Sequence, residues 1–180
     1  MAEPRWLDSE EQRTWIGWVF ASRLLWEELE RDLQRDAAMP FGYYEILMLL
    51  SEEPTRTLRM SELADALQSS RSRLSHAVNR LEELGWVRRE SCPTDRRGAN
   101  AVLTDAGFAA LEAAAPHHVE SVRTHLFDQL SPEQLRDLRA ISEQLLEHLL
   151  PLVASRGDTR TKMLATARER LGMQDATSSS

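Results

Sequence analysis

Residues 69–104 read SSRSRLSHAVNRLEELGWVRRESCPTDRRGANAVLT, and this stretch decides the fold. From Ser70 to Leu84 the apolar residues Leu74, Ala77, Val78, Leu81 and Leu84 recur at helical spacing, while Arg71, Ser72, Arg73, Ser75, His76, Asn79 and Arg80 fall on the other face. Ser70 is placed to cap the first amides of that helix, and Gly85 to end it. Directly beyond, Trp86–Glu90 and Ala99–Leu103 have strand character and flank SCPTDRRG, a loop with turn-forming Pro, Asp and Gly. An arginine-bearing helix followed at once by an arginine-studded hairpin predicts one face for a DNA major groove and an arm for the neighbouring minor groove.

Upstream, Ser61 can cap a helix through Leu67 (SELADAL), and a turn at Gln68-Ser69 joins it to the helix above as a helix-turn-helix. Leu58 reads as a short strand, and Phe41–Leu50, after Pro40, as a short apolar helix. Glu10 to about Arg35 reads as a long helix. Trp15, Trp18, Leu25, Trp26, Leu29 and Leu33 share one side of it, and Ile16, Val19, Phe20 and Leu24 widen the apolar surface. A helix apolar over most of its circumference needs cover on several sides, and a second copy of the chain is the expected cover.

Downstream, Thr104 caps the helix of LTDAGFAALEAAA, and Pro116 is expected to interrupt or kink it before helical pattern resumes over His117–Leu130. Ser131-Pro132-Glu133-Gln134 opens a further helix with Leu135, Leu138, Ile141, Leu145 and Leu149 at helical spacing, ending at Pro151. Lys162–Leu171 can be helical, and the ATSSS end is expected to be disordered. The expected class is therefore mostly α with a small β-hairpin wing: a winged helix-turn-helix flanked by N- and C-terminal dimerisation helices. Its expected parts are an N-terminal dimerisation helix (1–39), the winged helix-turn-helix (40–104), C-terminal dimerisation helices (105–151) and a C-terminal extension (152–180).

The charge balance narrows the function. The chain of 180 residues carries a net charge of −7, which argues against indiscriminate coating of nucleic acid. Yet residues 71–97 hold seven arginines against four acids, a local +3 in a chain whose remainder is −10. Positive charge gathered in one segment of an acidic protein fits a local phosphate footprint. No apolar run approaches the ~20 residues of a membrane span. The polar start lacks a secretory h-region, and the single cysteine, Cys92, excludes an intrachain disulfide framework. The expectation is a cytoplasmic protein without a membrane partner. An enzyme reading finds little support: Ser75 and His76 are adjacent on a helix and point apart, and there is no Gly-rich phosphate loop.

Each residue of the stretch then has an expected task. Arg71, Ser72, Arg73 and His76 project from the N-terminal half of the helix, where base edges are met, with Arg73 placed for a bidentate guanine contact. Ser70 can hold a phosphate through the first-turn amides. Ser75, Asn79 and Arg80 hold the DNA backbone or brace the helix. Arg88, Arg89 and Arg96 are expected phosphate partners.

The residues SELADAL, then RSRLSHAVNRLEELGWVRR, then DRRGANAVLTDAG, over about residues 60–107, resemble the MarR family of bacterial winged-helix regulators. The resemblance implies an obligate homodimer with interlocking terminal helices on a near-palindromic duplex, recognition helices ~34–36 Å apart. It implies repression of nearby genes, relieved by a small molecule or an oxidant. It assigns Arg97 to the minor groove and Asp95 to orienting Arg97 through a salt bridge. It also implies a lipophilic effector, aromatic or anionic, between the dimer arms and the winged helix. Trp15, Trp18 and Trp26, within an arc of about 80°, together with Tyr43 and Tyr44, are the candidate walls of that pocket. Two alternatives stay open: redox response through Cys92, and a winged-helix interaction module without DNA binding. His117, His118, His125 and His148 are the histidines a metal site would draw on. His118 and His125 stand two helical turns apart, so no metal is expected, nor any cofactor.

Overall fold

The computed structural model describes residues 3–67, 69–92 and 95–154, with side chains throughout except at 92, 95–97, 153 and 154. Among these the elements run α1 (Ser9–Ala37), α2 (Phe41–Glu52), β1 (Thr57–Arg59), α3 (Met60–Ala66), α4 (Arg71–Glu83), β2 (Val87–Cys92), β3 (Asp95–Leu103), α5 (Asp105–His125) and α6 (Pro132–Ala154), with a 3-10 turn at Phe127–Gln129 before α6. The class is mostly helical with a small antiparallel sheet, as the sequence predicts. No described helix is long and apolar enough to cross a membrane. The extension at 155–180 lies outside the described residues.

Among the described residues the chain divides into two compact units, residues 3–41 with 114–129 and residues 42–113 with 130–154. Helix α5 contributes to both. In the first unit, α1 opens on a capping box: Asp8 accepts from the amides of Glu10 and Glu11 at 2.8 Å each, and Glu11 accepts from the Asp8 amide at 2.8 Å. Leu29 and Leu33 are buried near its end, whereas Trp15, Trp18, Phe20, Leu24 and Trp26 are exposed. Asp32, 9% exposed, accepts a hydrogen bond from the Ser121 hydroxyl (2.7 Å), lies 2.8 Å from His125 Nε2, and pairs with Arg35 at 2.8 Å.

The second unit holds the winged helix. Its core gathers Ile46, Leu47 and Leu50 of α2, Leu63 and Ala64 of α3, Leu74, Val78 and Leu81 of α4, and Val87, Ala101, Val102 and Leu103 of the sheet. Each large aliphatic side chain so buried contributes about 1.5–3 kcal/mol. The sheet has the order β1-β3-β2. Leu58 pairs with Ala101 across β1 and β3, and Arg89 with the same Ala101 across β2 and β3. The strands of the wing run further toward its tip than the sequence predicts. Pairing passes through a register shift at Ser91/Cys92 and resumes with Cys92 opposite Asp95, because a bulge lets a ladder continue past residues that would otherwise end it.

Several boundaries differ from expectation, and α5 ends at His125 rather than running on to Leu130. Helix α3 begins at Met60, so Ser61 lies inside its first turn. Strand β1 runs straight into the helix, and the amide of Arg59 donates to Glu62 at 3.2 Å in place of a serine cap. Leu84 is 51% exposed rather than part of the buried stripe. The helix has ended by Glu83, and Gly85 at φ 74° turns the chain away from it. Pro116 does not break the helix: α5 is continuous from Asp105 to His125 with the proline inside it. Helix α6 likewise carries Pro151 inside it and runs on to Ala154.

Candidate nucleic-acid interface

Helix α4 follows the sequence closely. Ser70, extended at φ −64° and ψ 146°, accepts the amide of Arg73 at 3.2 Å as N-cap. Three α4 leucine and valine side chains, Leu74, Val78 and Leu81, hold the helix to the core. Its outer face is thereby fixed: Arg71, Ser72, Arg73, His76, Asn79 and Arg80 are exposed, and Ser75 is half-buried. Arg80 pairs with Glu83 one turn on.

The turn after α4 is locked from the far side of the wing. Thr104, in the LTDAG segment, donates its hydroxyl to the Gly85 carbonyl (2.7 Å) and the Trp86 carbonyl (3.0 Å) and accepts the amide of Gly107 (3.0 Å), so one side chain fastens the turn and caps α5. Gly107 is required there, since a Cβ would stand 2.0 Å from the Trp86 carbonyl oxygen. Beside it Arg56 pairs with Asp105 at 3.1 Å and lies 4.1 Å over the Phe108 ring.

The wing arginines separate. Arg88 is exposed and pairs with Glu90 on its own strand at 2.8 Å. Arg89, expected as a phosphate partner, turns instead onto α4. Its NH2 donates to the Ser75 carbonyl (2.9 Å) and hydroxyl (3.3 Å), and its NH1 to Asn79 Oδ1 and to Glu82 (2.8 Å). The other Glu82 oxygen accepts the Arg89 backbone amide at 2.8 Å. That amide lies on the outer side of β2, which pairs with β3 alone. Sequence reasoning missed this network, and Glu82 within it, because its members are seven to fourteen positions apart and on different elements. The side chains of Asp95, Arg96 and Arg97, and the Cys92 thiol, lie outside the described residues.

Between the start of α3, the start of α4 and the base of the wing is a concavity of about 470 Å³ lined by Arg59, Ser61, Arg71, Ser75 and Arg89, among others. Arg59 and Arg71 bring positive charge to this hollow, while the charge of Arg89 is met by Glu82.

The candidate effector residues are split between the units. On α1, Trp15, Trp18 and Trp26 are all more than half exposed. Trp26 meets Phe41 edge-on at 5.4 Å, and Phe41 meets His118 at 5.7 Å. Tyr43 and Tyr44 open α2 half-buried, and burial raises the Tyr44 hydroxyl above its usual pKa. Burial lowers the pKa of His118. Glu28, Asp32 and His125 bring their ligand-type atoms within 4.8 Å of one another, a grouping spacing alone did not reveal. Each already has a partner, Glu28 with Arg31 and Asp32 with Arg35, Ser121 and His125.

With this geometry in hand, similarity to known proteins is informative. The MarR family model matches residues 39–98. Sco3205 of Streptomyces coelicolor, a MarR family transcriptional regulator solved in complex with DNA, is 53% identical, with a TM-score of 0.74 over 82% of this chain and 92% of that one. The HTH-type transcriptional regulator PecS of Dickeya dadantii (strain 3937) is 37% identical over 90 residues, 50% of this chain and 54% of PecS. The transcriptional repressor MprA of Escherichia coli (strain K12) is 32% identical over 104 residues, 57% of this chain and 58% of MprA. The chain thus matches somewhat more than half the length of these two regulators.

Proposed function

The chain belongs to the MarR family of transcriptional regulators, and from that premise we propose that it binds double-stranded DNA sequence-specifically, as a homodimeric repressor. The observation that carries this reading is the outward face of α4. A capped helix N-terminus presents Arg71, Ser72, Arg73 and His76 with nothing apolar among them, on a helix anchored by three buried residues. Such a face suits a major groove, where a bidentate Arg73–guanine pair would supply about 1–3 kcal/mol of discrimination. Arg97, by family resemblance, enters the minor groove with Asp95 orienting it; Arg88 and Arg96 are phosphate partners. The DNA held by Sco3205 supports the ligand class, and the repressor MprA supports the direction of regulation.

Two copies are supported by the aromatic and aliphatic side chains that α1 and α6 leave in water, Trp18, Phe20 and Leu24 on one and Ile141, Leu145 and Leu149 on the other. A small lipophilic effector that releases the DNA belongs to the same proposal. It is supported by the aromatic run of Trp26 and Phe41, which offers ring faces and edges to such a molecule.

The test is selection of bound duplexes from a randomised pool, followed by anisotropy titration of the winner. The expected outcome is a near-palindrome whose affinity falls by roughly 0.9 log units per log unit of salt for each phosphate neutralised. Arg97→Ala should abolish most of that affinity while the dimer persists on a sizing column. Failure to enrich any sequence removes the DNA reading, and unchanged affinity in the variant removes the wing from it.

A further inference from the structure

We propose that Arg89 is a positioning residue that locks the wing to the recognition helix α4, so that the two DNA-reading parts move as one body; this rests on the DNA-binding reading above. The guanidinium is where a phosphate contact would need it least. Both terminal nitrogens are already shared between two acceptors, Ser75 carbonyl and hydroxyl on one and Asn79 and Glu82 on the other. Its side chain is 27% exposed, against 57% for Arg88 one residue before it.

The arrangement of the acceptors matters more than their number. Ser75, Asn79 and Glu82 are spaced four and three residues apart, so they form one stripe along two turns of α4. On the strand the joint is the one residue Arg89, held at its backbone amide and at both terminal nitrogens, and on the helix it spans two turns, so the guanidinium cannot swing without breaking several bonds together. Glu82 strengthens the joint by taking the Arg89 amide with one oxygen and the guanidinium with the other. A planar fork suits this task and an ammonium does not, because a lysine offers a point charge without fixed directions.

Fixing the wing against the helix sets the offset between the major-groove and minor-groove contacts. Specificity then depends on a residue that touches neither base nor phosphate. Ser75 and Asn79, which hold Arg89, act on recognition through this joint.

Two variants test it on the selected operator and on an unrelated duplex of equal length. Glu82→Gln removes the charged acceptor with little change of shape, and Arg89→Lys keeps the charge but loses the fork. Both should lower the operator-to-unrelated affinity ratio about tenfold, the loss of one charge-assisted bond, with the salt slope unchanged. Were Arg89 instead a phosphate contact, Glu82→Gln would free it and tighten operator binding. Tighter binding, or a ratio unchanged in both variants, overturns the proposal. Glu82→Gln keeps the test decisive should Arg89→Lys fail to fold. If the wild-type chain selects no operator, the DNA-binding reading has failed instead.

Discussion

Asp32 shows what a single buried carboxylate can hold. The Ser121 hydroxyl donating to it is the largest reason its pKa falls below the usual carboxylate range; burial opposes, and His125 and Arg35 add to the lowering. The sign of the consequence follows. A carboxyl that ionises more easily folded than unfolded stabilises the fold above its unfolded pKa, about 3.9, and that stabilisation is lost as pH falls through the folded value. Asp32→Asn should therefore cost roughly 1–3 kcal/mol at pH 7. Urea unfolding at a series of pH values should show the gap between variant and wild type closing below about pH 4. A gap that persists undiminished at low pH would mean the charge is irrelevant. Little of this was legible in the sequence, where Asp32 is one acid among many on α1, with only Arg35 nearby, and Ser121 and His125 lie some ninety positions away. Ser70 is the opposite case, since a cap acts on amides two or three residues ahead and needs no tertiary information.

At the scale of the element, the helices and the hairpin were legible because each carries its own period and its own stops. What failed were boundaries set by neighbours. Ser61 has the chemistry of a cap, but a strand entering the helix directly moved the start ahead of it. Proline has a strong local rule, and the long run of helix on both sides of Pro116 overrode it. The LTDAG segment belongs to the stretch that resembles the family, yet only the fold explains its glycine. Helix α5 approaches the carbonyl of Trp86 so closely that no side chain fits. Gly107→Ala should destabilise the winged helix by roughly 1–3 kcal/mol through overpacking, despite alanine's better helix propensity. Chemical denaturation measures this directly. A variant as stable as the wild type would show that α5 can shift without cost.

For the whole molecule, the exposed apolar side chains of α1 and α6 make the strongest claim. The sequence already indicated a helix too apolar for one chain to cover, because that excess is a sum over its circumference. Which residues remain outward could come only from the fold. Leu24 is 58% exposed, so on a monomer Leu24→Glu would be neutral or mildly favourable. On a dimer it buries a charge, and the expected result is loss of the dimer by light scattering together with a lower melting temperature. The wild-type melting temperature should rise with protein concentration, as mass action requires. A melting temperature independent of concentration, with a mass of one chain, would count against association.

The bond from Glu82 to the outer amide of β2 also guards against a hazard of small sheets. An unpaired rim invites a foreign strand to add on, and from there fibrous aggregation. Here a carboxylate of α4 occupies that rim at Arg89, so a passing chain finds the amide there already taken.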